Sequence, residues 1–361
     1  MKSSKKQLLF IHAGGLGDII LLSPVLKILH QELGLTHDIN LLTEKRAFAG
    51  SQELFEKADC VQEVKCFDFK NKFAIFQIFN LLKIIKNHDI VISSGSSPLI
   101  SILLFLSGVK RRIGFKSKTS FLLTESIKLN KNQFTTCMLA DLIKPLINKN
   151  LSSLDLKPKF TELLNKEFKS LDSTISLDQK YFLIHPGVSA LSLQKNIIKS
   201  PEPDFWTDFI FEFSQIPALQ KYKLVFIGGP DDQKALDEIW ANLKIKTENL
   251  INLSHQKTDL KQLAHLIKNS EVFICADSAP MHLSLSINAN TLALFGPTDS
   301  AKLISEEQVK YKIIKVDNLL CQPCLWDKRS QSCSLPLCIK LLSPESIIQI
   351  LQNYDQTRNL H

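Results

Sequence analysis

The segment that follows residue 275 combines acidic, hydroxyl and histidine side chains in a pattern that could bind a phosphorylated ligand. Asp277 and Ser278 follow the apolar run Phe273–Cys275 after one alanine. Pro280 then favours the first turn of a helix, on which His282 lies. A strand followed by a helix presents backbone N–H groups at the carboxyl end of the strand, where α/β proteins bind phosphorylated groups. The alternative is an ordinary strand–helix–strand unit of the core.

A glycine-rich turn near the N-terminus carries a carboxylate. Gly15 and Gly17 follow the apolar run Leu8–Ile11, and glycines in such a turn let a ligand approach the backbone. The turn is not a dinucleotide-binding fingerprint, because Ile20 occupies the place of the third glycine. Asp18 directly after the turn could act as a general base at the mouth of a cleft, or it could cap the helix that follows.

A third turn, after the apolar run 181–185, holds small and basic residues. Gly187 and Ser189 would let a diphosphate approach the backbone. Lys195 and Lys199 would neutralise its charge, although lysines in loops are usually solvated. The turn is therefore a candidate diphosphate site.

A fourth turn, Gly228-Gly229-Pro230-Asp231-Asp232, also joins an apolar run to a helical segment. Its acidic pair, and Asp232 in particular, could accept hydrogen bonds from a ribose or a base. Capping of the following helix is the interpretation that we favour.

Four of the eight cysteines are close together in the sequence near the C-terminus: Cys321, Cys324, Cys333 and Cys338. Taken in isolation, a C-x2-C pair followed by two further cysteines suggests a zinc or iron–sulfur site. Free or redox-active thiols are the alternative.

The elements that must position these residues alternate along both halves of the chain. Apolar runs predict strands at 8–11, 39–42, 90–93, 112–115, 181–185, 224–229, 250–254, 273–275 and 292–295. Helical periodicity separates most of these runs, which predicts two parallel-sheet domains of the α/β class. The apolar periodicity weakens over 148–180, our candidate for the inter-domain connection, with a short helix at 160–168.

Composition fits a globular protein with an anionic partner. The hydrophobic fraction is 44%, the charged fraction is 22% and the formal charge is +8. A nucleic acid is not expected, because the aromatic residues are mostly Phe in apolar runs. The apolar stretch Leu99–Val109 is too short to span a bilayer. We expect a cytoplasmic chain that could touch a membrane surface.

Taken in order, four motifs resemble the heptosyltransferase-type glycosyltransferases of family nine. They are GLGDIILLSPVL, HPG followed by lysine, GGPDD, and DSAPMHL with ALFGPTD, and the resemblance runs from about Leu8 to Glu345. It implies a GT-B fold, with two Rossmann-like domains that face each other across a cleft. It also implies an N-terminal acceptor-binding domain at 1–170 and a C-terminal nucleotide-sugar domain at 171–342, with a helix at about 343–358 that packs back on the first domain.

The same resemblance implies an inverting, metal-independent transfer. The donor would be ADP-heptose, and the acceptor a lipid A–core saccharide at the cytoplasmic face of the inner membrane. Similar cysteines occur in many family members without an accepted metal role, so neither a metal nor another cofactor is expected. Peripheral contact with the inner membrane would follow from the acceptor.

Site residues are carried over position by position. Asp18 matches the catalytic carboxylate, and Lys199 matches the family's lysine better than Lys195 does. The predicted catalytic residues are Asp18 and Lys199, and the predicted substrate-binding residues are Gly15, Gly17, Ser189, Lys195, Asp232, Asp277, Ser278, Ala279 and His282. Two departures stand out, because Ala279 replaces the usual glycine and Lys199-Ser200-Pro201 lacks the usual tryptophan.

Two other functions fit the same two-domain organisation. A sugar-nucleotide epimerase or hydrolase would need further carboxylates that the sequence does not identify. A non-catalytic sugar-nucleotide-binding protein is suggested by Ala279, whose Cβ could crowd a diphosphate.

Overall fold

The computed structural model describes residues 5–69, 75–164, 179–187, 192, 194–325, 329–358 and 360. The chain divides into two compact units. The first comprises Met1–Lys159 with Ala301–Glu307, and the second comprises Phe160–Ser300 with Gln308–His361. Each unit contains a parallel sheet flanked by helices, which confirms the predicted α/β fold class.

The described residues of the first unit form a six-stranded parallel sheet. Its strands are β1 (Lys6–His12), β2 (His37–Glu44), β3 (Glu63–Phe67), β4 (Ile90–Ser93), β5 (Arg111–Phe115) and β6 (Glu125–Ile127). The helices described in this unit are α1 (Leu16–Leu33), α2 (Lys45–Phe55), α3 (Ile75–Lys86), α4 (Pro98–Leu106) and α5 (Thr135–Asp141). In space the strands follow the order β3-β2-β1-β4-β5-β6. The order therefore reverses between β1 and β4, and sheets of this kind bind ligands beyond the carboxyl ends of the strands at such a point.

The second unit repeats this plan over its described residues. Its strands are β7 (Tyr181–His185), β8 (Lys223–Phe226), β9 (Leu250–Asn252), β10 (Val272–Ala276), β11 (Thr291–Phe295) and β12 (Tyr311–Lys315). Its helices are α6 (Pro203–Ser214), α7 (Gln233–Ala241), α8 (Leu260–Asn269), α9 (Ala279–Ser286), α10 (Leu337–Lys340) and α11 (Pro344–Thr357). The spatial order is β12-β11-β10-β7-β8-β9. The reversal lies between β7 and β10, so the chain segments that leave these two strands meet at one edge.

The central strands are apolar because helices cover both faces of each sheet. Leu8 and Phe10 of β1 are fully buried, as are Phe182 of β7 and Ile274 of β10. The polar residues that end or follow each of these strands therefore lie at the carboxyl edge of the sheet.

The unit boundary differs from the predicted position near residue 170. Phe160 already belongs to the second unit, where its side chain is fully buried and its N–H donates to the Ser286 carbonyl at 3.1 Å. The segment Ala301–Glu307 belongs to the first unit, because Thr135 donates to the Lys302 carbonyl at 2.7 Å. Of the predicted helix at 160–168, the structure describes a 3₁₀ turn at Thr161–Leu164, and the remainder lies outside the described residues.

The prediction that the C-terminal helix packs on the first domain is wrong. Helix α11 packs against α6 within the second unit. Ile347 and Leu351 of α11 are fully buried in the same hydrophobic cluster as Trp206 and Phe209 of α6. The apolar stripe of α11 therefore completes the core of the second unit.

Within the described ranges, no helix is both long enough and apolar enough to cross a membrane.

Candidate active site

The glycine-rich turn of the first unit lies at the point where the strand order reverses. Strand β1 ends at His12 and α1 begins at Leu16, with Gly15 as its N-cap and Gly17 in its first turn. The Asp18 carboxylate accepts a hydrogen bond from the Gly15 N–H at 2.8 Å. The capping interpretation of Asp18 is therefore correct. Asp18 nevertheless remains exposed at the N-terminus of α1, where its charge is favourable.

Sequence reasoning missed His12, a buried histidine that faces the Asp18 turn. Its Nδ1 lies 2.6 Å from the Ser94 hydroxyl, whereas its buried Nε2 finds no hydrogen-bond partner among the described residues. A Cβ on Gly14 would come within 2.6 Å of this Nε2 and within 2.7 Å of Asp18 Oδ2. Glycine at position 14 thus keeps open the space between the imidazole and the carboxylate.

Burial lowers the pKa of His12, and the nearby Asp18 charge partly opposes this effect. The imidazole is therefore neutral near pH 7, with one nitrogen on Ser94 and the other turned toward Asp18. The only signal in the sequence is a polar residue at the end of an apolar strand.

Asp18→Asn is expected to lower the pKa of His12 further, because the substitution removes the negative charge that raises it. NMR titration of the imidazole resonances would measure this, with His12→Gln to assign the signal. His88 is an internal control, because burial also lowers its pKa but the charges near it are Lys65 and Glu63. An unchanged pKa at His12 would show that Asp18 and His12 are not coupled.

At the corresponding point of the second unit, a lysine and an aspartate form a buried ion pair. Lys199 Nζ lies 2.8 Å from Asp277 Oδ2, at the carboxyl end of β10. Asp277 is 4% exposed and the Lys199 side chain is 17% exposed. Burial alone raises the pKa of Asp277, but Lys199, His282 and Thr298 together bring it below its ordinary value. Asp277 is therefore a charged residue that holds the lysine at the strand–helix junction.

The first turn of α9 borders this ion pair. Ser278 is the N-cap, and its carbonyl accepts the N–H groups of Met281 at 3.1 Å and His282 at 3.4 Å. Ala279 lies in the first helical turn, and it is not among the described non-glycine residues with positive φ. A glycine is therefore not required at position 279 for backbone conformation.

The two candidate lysines have different environments. Lys199 is mostly buried on Asp277, whereas Lys195 is exposed in the preceding turn. The structure thus brings Lys199, Asp277, Ser278, Ala279 and His282 together at one edge and leaves Lys195 in solvent. Ser189 lies outside the described residues.

Asp232 requires a correction, because its carboxylate is turned inward. It is 6% exposed and accepts hydrogen bonds from the Gly229 N–H at 2.8 Å and from His185 Nε2 at 3.2 Å. Burial raises the pKa of Asp232, but His185 and Gly229 outweigh it and the net shift is downward. Asp232 occupies the N-cap position of α7 without a side-chain capping bond. Its carboxylate therefore contacts Gly229 and His185, and the predicted capping bond to the helix is not formed.

Asp232 instead joins two turns. A Cβ on Gly187 would overlap the Asp232 carboxylate, and a Cβ on Gly228 would collide with Leu236. The HPG turn after β7 and the GGPDD turn after β8 thus pack too closely for side chains at these glycines. This packing fixes the position of Gly187 directly after β7.

The four C-terminal cysteines line one cavity of about 330 Å³ beside the turn that follows β11. The N–H groups of Cys324 and Leu325 both donate to the Pro297 carbonyl at 3.0 Å. Burial, followed by the neighbouring thiols, raises the pKa of Cys338 to about 11. No disulfide joins these four cysteines, and in the described part of the chain no three His, Cys, Asp or Glu side chains are arranged to hold a metal ion. The two hydrogen bonds to Pro297 attach residues 324–325 to the turn that follows β11.

Two Rossmann-like parallel sheets, each with charged side chains where the strand order reverses, define a two-domain α/β protein of the GT-B type. The family model described as glycosyltransferase family 9 (heptosyltransferase) matches residues 78–334. The chain belongs to this family, as its motifs predicted. Lys199 and Asp277 lie within the matched residues, and Asp18 lies before them.

Curated relatives with similar sequences are heptosyltransferases. Lipooligosaccharide heptosyltransferase 2 of Campylobacter jejuni is 32% identical over 209 residues, which is 56% of this chain and 60% of that protein. The corresponding protein of Haemophilus influenzae is 22% identical and is covered over 62% of its length. The chain thus matches about three fifths of the length of these relatives.

Solved structures show the same fold over nearly the whole chain. A family 9 glycosyltransferase from Veillonella parvula has a TM-score of 0.70 at 17% identity, with 99% of both chains covered. The E. coli ADP-heptose LPS heptosyltransferase II has a TM-score of 0.67 at 16% identity, with 98% of this chain and 99% of that chain covered.

Proposed function

We propose that this chain transfers a heptosyl group from ADP-heptose to a saccharide of the lipopolysaccharide core. The observation that carries the proposal is the buried Lys199–Asp277 pair at the start of α9, in a chain of glycosyltransferase family 9. The heptosyltransferase names of the relatives support the choice of sugar, and the name of the E. coli enzyme supports ADP-heptose as the donor.

The second unit would bind the donor. When the anomeric C–O bond breaks, negative charge develops on the departing nucleoside diphosphate. Lys199 is held at the junction by Asp277 and can neutralise this charge without rearrangement. The N–H groups in the first turn of α9 add favourable dipoles. Because these groups supply positive charge, we propose that the transfer needs no metal ion.

The first unit would bind the acceptor. The acceptor hydroxyl oxygen attacks the anomeric carbon as the diphosphate leaves, and its proton passes to the exposed Asp18 carboxylate. A single displacement of this kind inverts the anomeric configuration. The acceptor is the core saccharide linked to lipid A, so the enzyme would work in the cytoplasm at the inner face of the inner membrane.

The test is a transfer assay with purified protein, ADP-heptose and lipopolysaccharide from a heptose-deficient strain. We expect release of ADP and an acceptor heavier by one heptose, at an unchanged rate when a chelator is added. NMR of the product would show the inverted anomeric configuration. UDP- and GDP-linked sugars serve as donor controls.

Other outcomes would identify the alternatives. ADP-heptose binding without turnover would support a sugar-nucleotide-binding protein. ADP release without acceptor modification would indicate a hydrolase, and an altered donor sugar would indicate an epimerase. Any of these results would contradict the proposed transfer.

A further inference from the structure

The first unit has exposed apolar side chains on three elements that pack on one another, and these side chains are called the apolar face below. These side chains and their exposed fractions are Phe76 (84%) and Phe79 (66%) on α3, Ile102 (36%), Phe105 (51%) and Leu106 (63%) on α4, and Phe121 (80%) on the 3₁₀ turn Ser120–Leu122. Single exposed apolar residues are common, but a cluster of this kind marks an interaction surface.

The apolar face is separate from the core of the unit. Leu81 and Ile85 on the opposite side of α3 are buried with Leu103 and Leu104 of α4. The two helices thus use one side for the core and leave a second apolar side exposed. Core packing does not account for the exposed phenylalanines.

Specific contacts join the three elements. Helix α3 packs on α4, and α4 packs on the 3₁₀ turn. The Arg112 guanidinium lies 5.7 Å from the Phe105 ring centroid and donates to the Leu122 carbonyl at 2.9 Å. Thr119 donates to the Pro98 carbonyl at 3.1 Å, which ties the turn to the start of α4. The apolar face is therefore a fixed surface.

Exposed lysines lie on and next to the elements that carry the apolar face. Phe76, Phe79 and Lys83 share one side of α3, three and four residues apart. The exposed lysines on α3 and around the 3₁₀ turn are Lys83, Lys86, Lys110, Lys116 and Lys118. The sequence has no Asp or Glu between Asp89 and Glu125. Aromatic side chains with a basic border match a lipid bilayer that carries anionic headgroups.

The apolar face also lies near the Asp18 edge of the sheet. A cavity of about 130 Å³ is lined by Ala13 after β1, by Gly95 after β4, and by Leu99 and Ile100 of α4. Helix α4 thus connects the exposed surface with the edge where an acceptor would be bound.

We propose that the apolar face docks the first unit on an anionic membrane surface, with the phenylalanines in the interface and the lysines on the headgroups. The proposed function already places the enzyme at the inner membrane, and this inference rests on it and adds the surface that contacts the bilayer. A second copy of this chain is a less suitable occupant, because it would bring the same lysines against each other.

The test is flotation of the full chain with lipid vesicles. Wild-type protein should float with vesicles of phosphatidylethanolamine and phosphatidylglycerol, less well at high salt, and poorly with phosphatidylcholine alone. Phe76→Ser with Phe79→Ser should weaken partition about ten-fold or more, as expected for aromatic groups that leave the interface. Lys83→Gln, Lys116→Gln and Lys118→Gln together should remove the preference for phosphatidylglycerol.

Matched variants keep the test specific. Leu35→Ser and Phe211→Ser remove side chains that are 94% and 40% exposed outside the apolar face, so they should bind vesicles like wild type. Thermal unfolding would verify that every variant is folded. Wild-type protein that fails to float, or face variants that float unchanged, would overturn the proposal. So would a concentration-dependent dimer that the phenylalanine variants abolish.

Failure of this inference can be told apart from failure of the proposed function. Transfer to a core oligosaccharide without lipid should be unchanged in the phenylalanine variants, because Asp18 and Lys199 are intact. If wild-type protein floats but transfers no heptose, the proposed function is wrong and the docking surface stands. If wild-type protein transfers heptose but does not float, the docking surface is wrong and the proposed function stands.

Discussion

Asp18→Asn should lower heptosyl transfer by about 10² to 10⁴-fold, the range of a positioned general base. The amide cannot take the proton of the acceptor hydroxyl, so the attacking oxygen remains a poor nucleophile. The side-chain oxygen of asparagine can still accept the Gly15 N–H, so the start of α1 should stay intact. The measurement is the turnover number at saturating donor and acceptor.

The control for this variant lies on the same helix. Glu32→Gln also neutralises an exposed carboxylate of α1, one residue before the helix ends at Leu33. It should transfer within about two-fold of wild type, as expected for a surface charge outside the site. If Asp18→Asn kept most of the wild-type turnover with an unchanged unfolding temperature, Asp18 would be only a helix cap.

The sequence predicted the centre of each sheet better than its edges. All five residues of β7, of β10 and of β11 are buried, and such strands are recognisable as unbroken apolar runs. The strands that periodicity missed are β3, β6 and β12, which are edge strands with mostly half-exposed residues. Glu63, Lys65 and Lys312 interrupt their apolar pattern, because one side of an edge strand meets solvent.

The candidate site was predictable where its residues lie close together in one short segment of the sequence. Asp277, Ser278 and His282 lie within six residues, and their position after a strand was enough to place them at the carboxyl edge. Asp232 was misjudged because its burial depends on two turns that pack through Gly187 and Gly228, some forty residues apart. His12 was missed because its partner Ser94 is 82 residues away.

Lys199→Ala should reduce kcat/KM for the donor by about 10² to 10³-fold, as when a preorganised charge is removed from a developing anion. Lys195→Ala should change the same quantity by less than about two-fold, because Lys195 is exposed and the lysine paired with Asp277 is Lys199. Steady-state kinetics with varied ADP-heptose would measure both variants, and titration with ADP would give the binding component. Equal losses in the two variants would contradict the assignment of Lys199.

Removal of Lys199 also leaves Asp277 buried with less compensation, so a loss of stability must be separated from a loss of catalysis. In the wild type the pKa of Asp277 lies below its ordinary value, so its ion pair stabilises the fold at neutral pH, and this contribution is lost in acid. Without Lys199, burial should raise the pKa of Asp277. The deficit in unfolding free energy should then be greatest near pH 7 and shrink as the pH falls and the carboxyl group is protonated.

Lys199→Ala combined with Asp277→Asn removes the buried charge, so it should recover stability while transfer stays low. Recovery of transfer together with stability would show that the pair holds the fold and does not act on the donor.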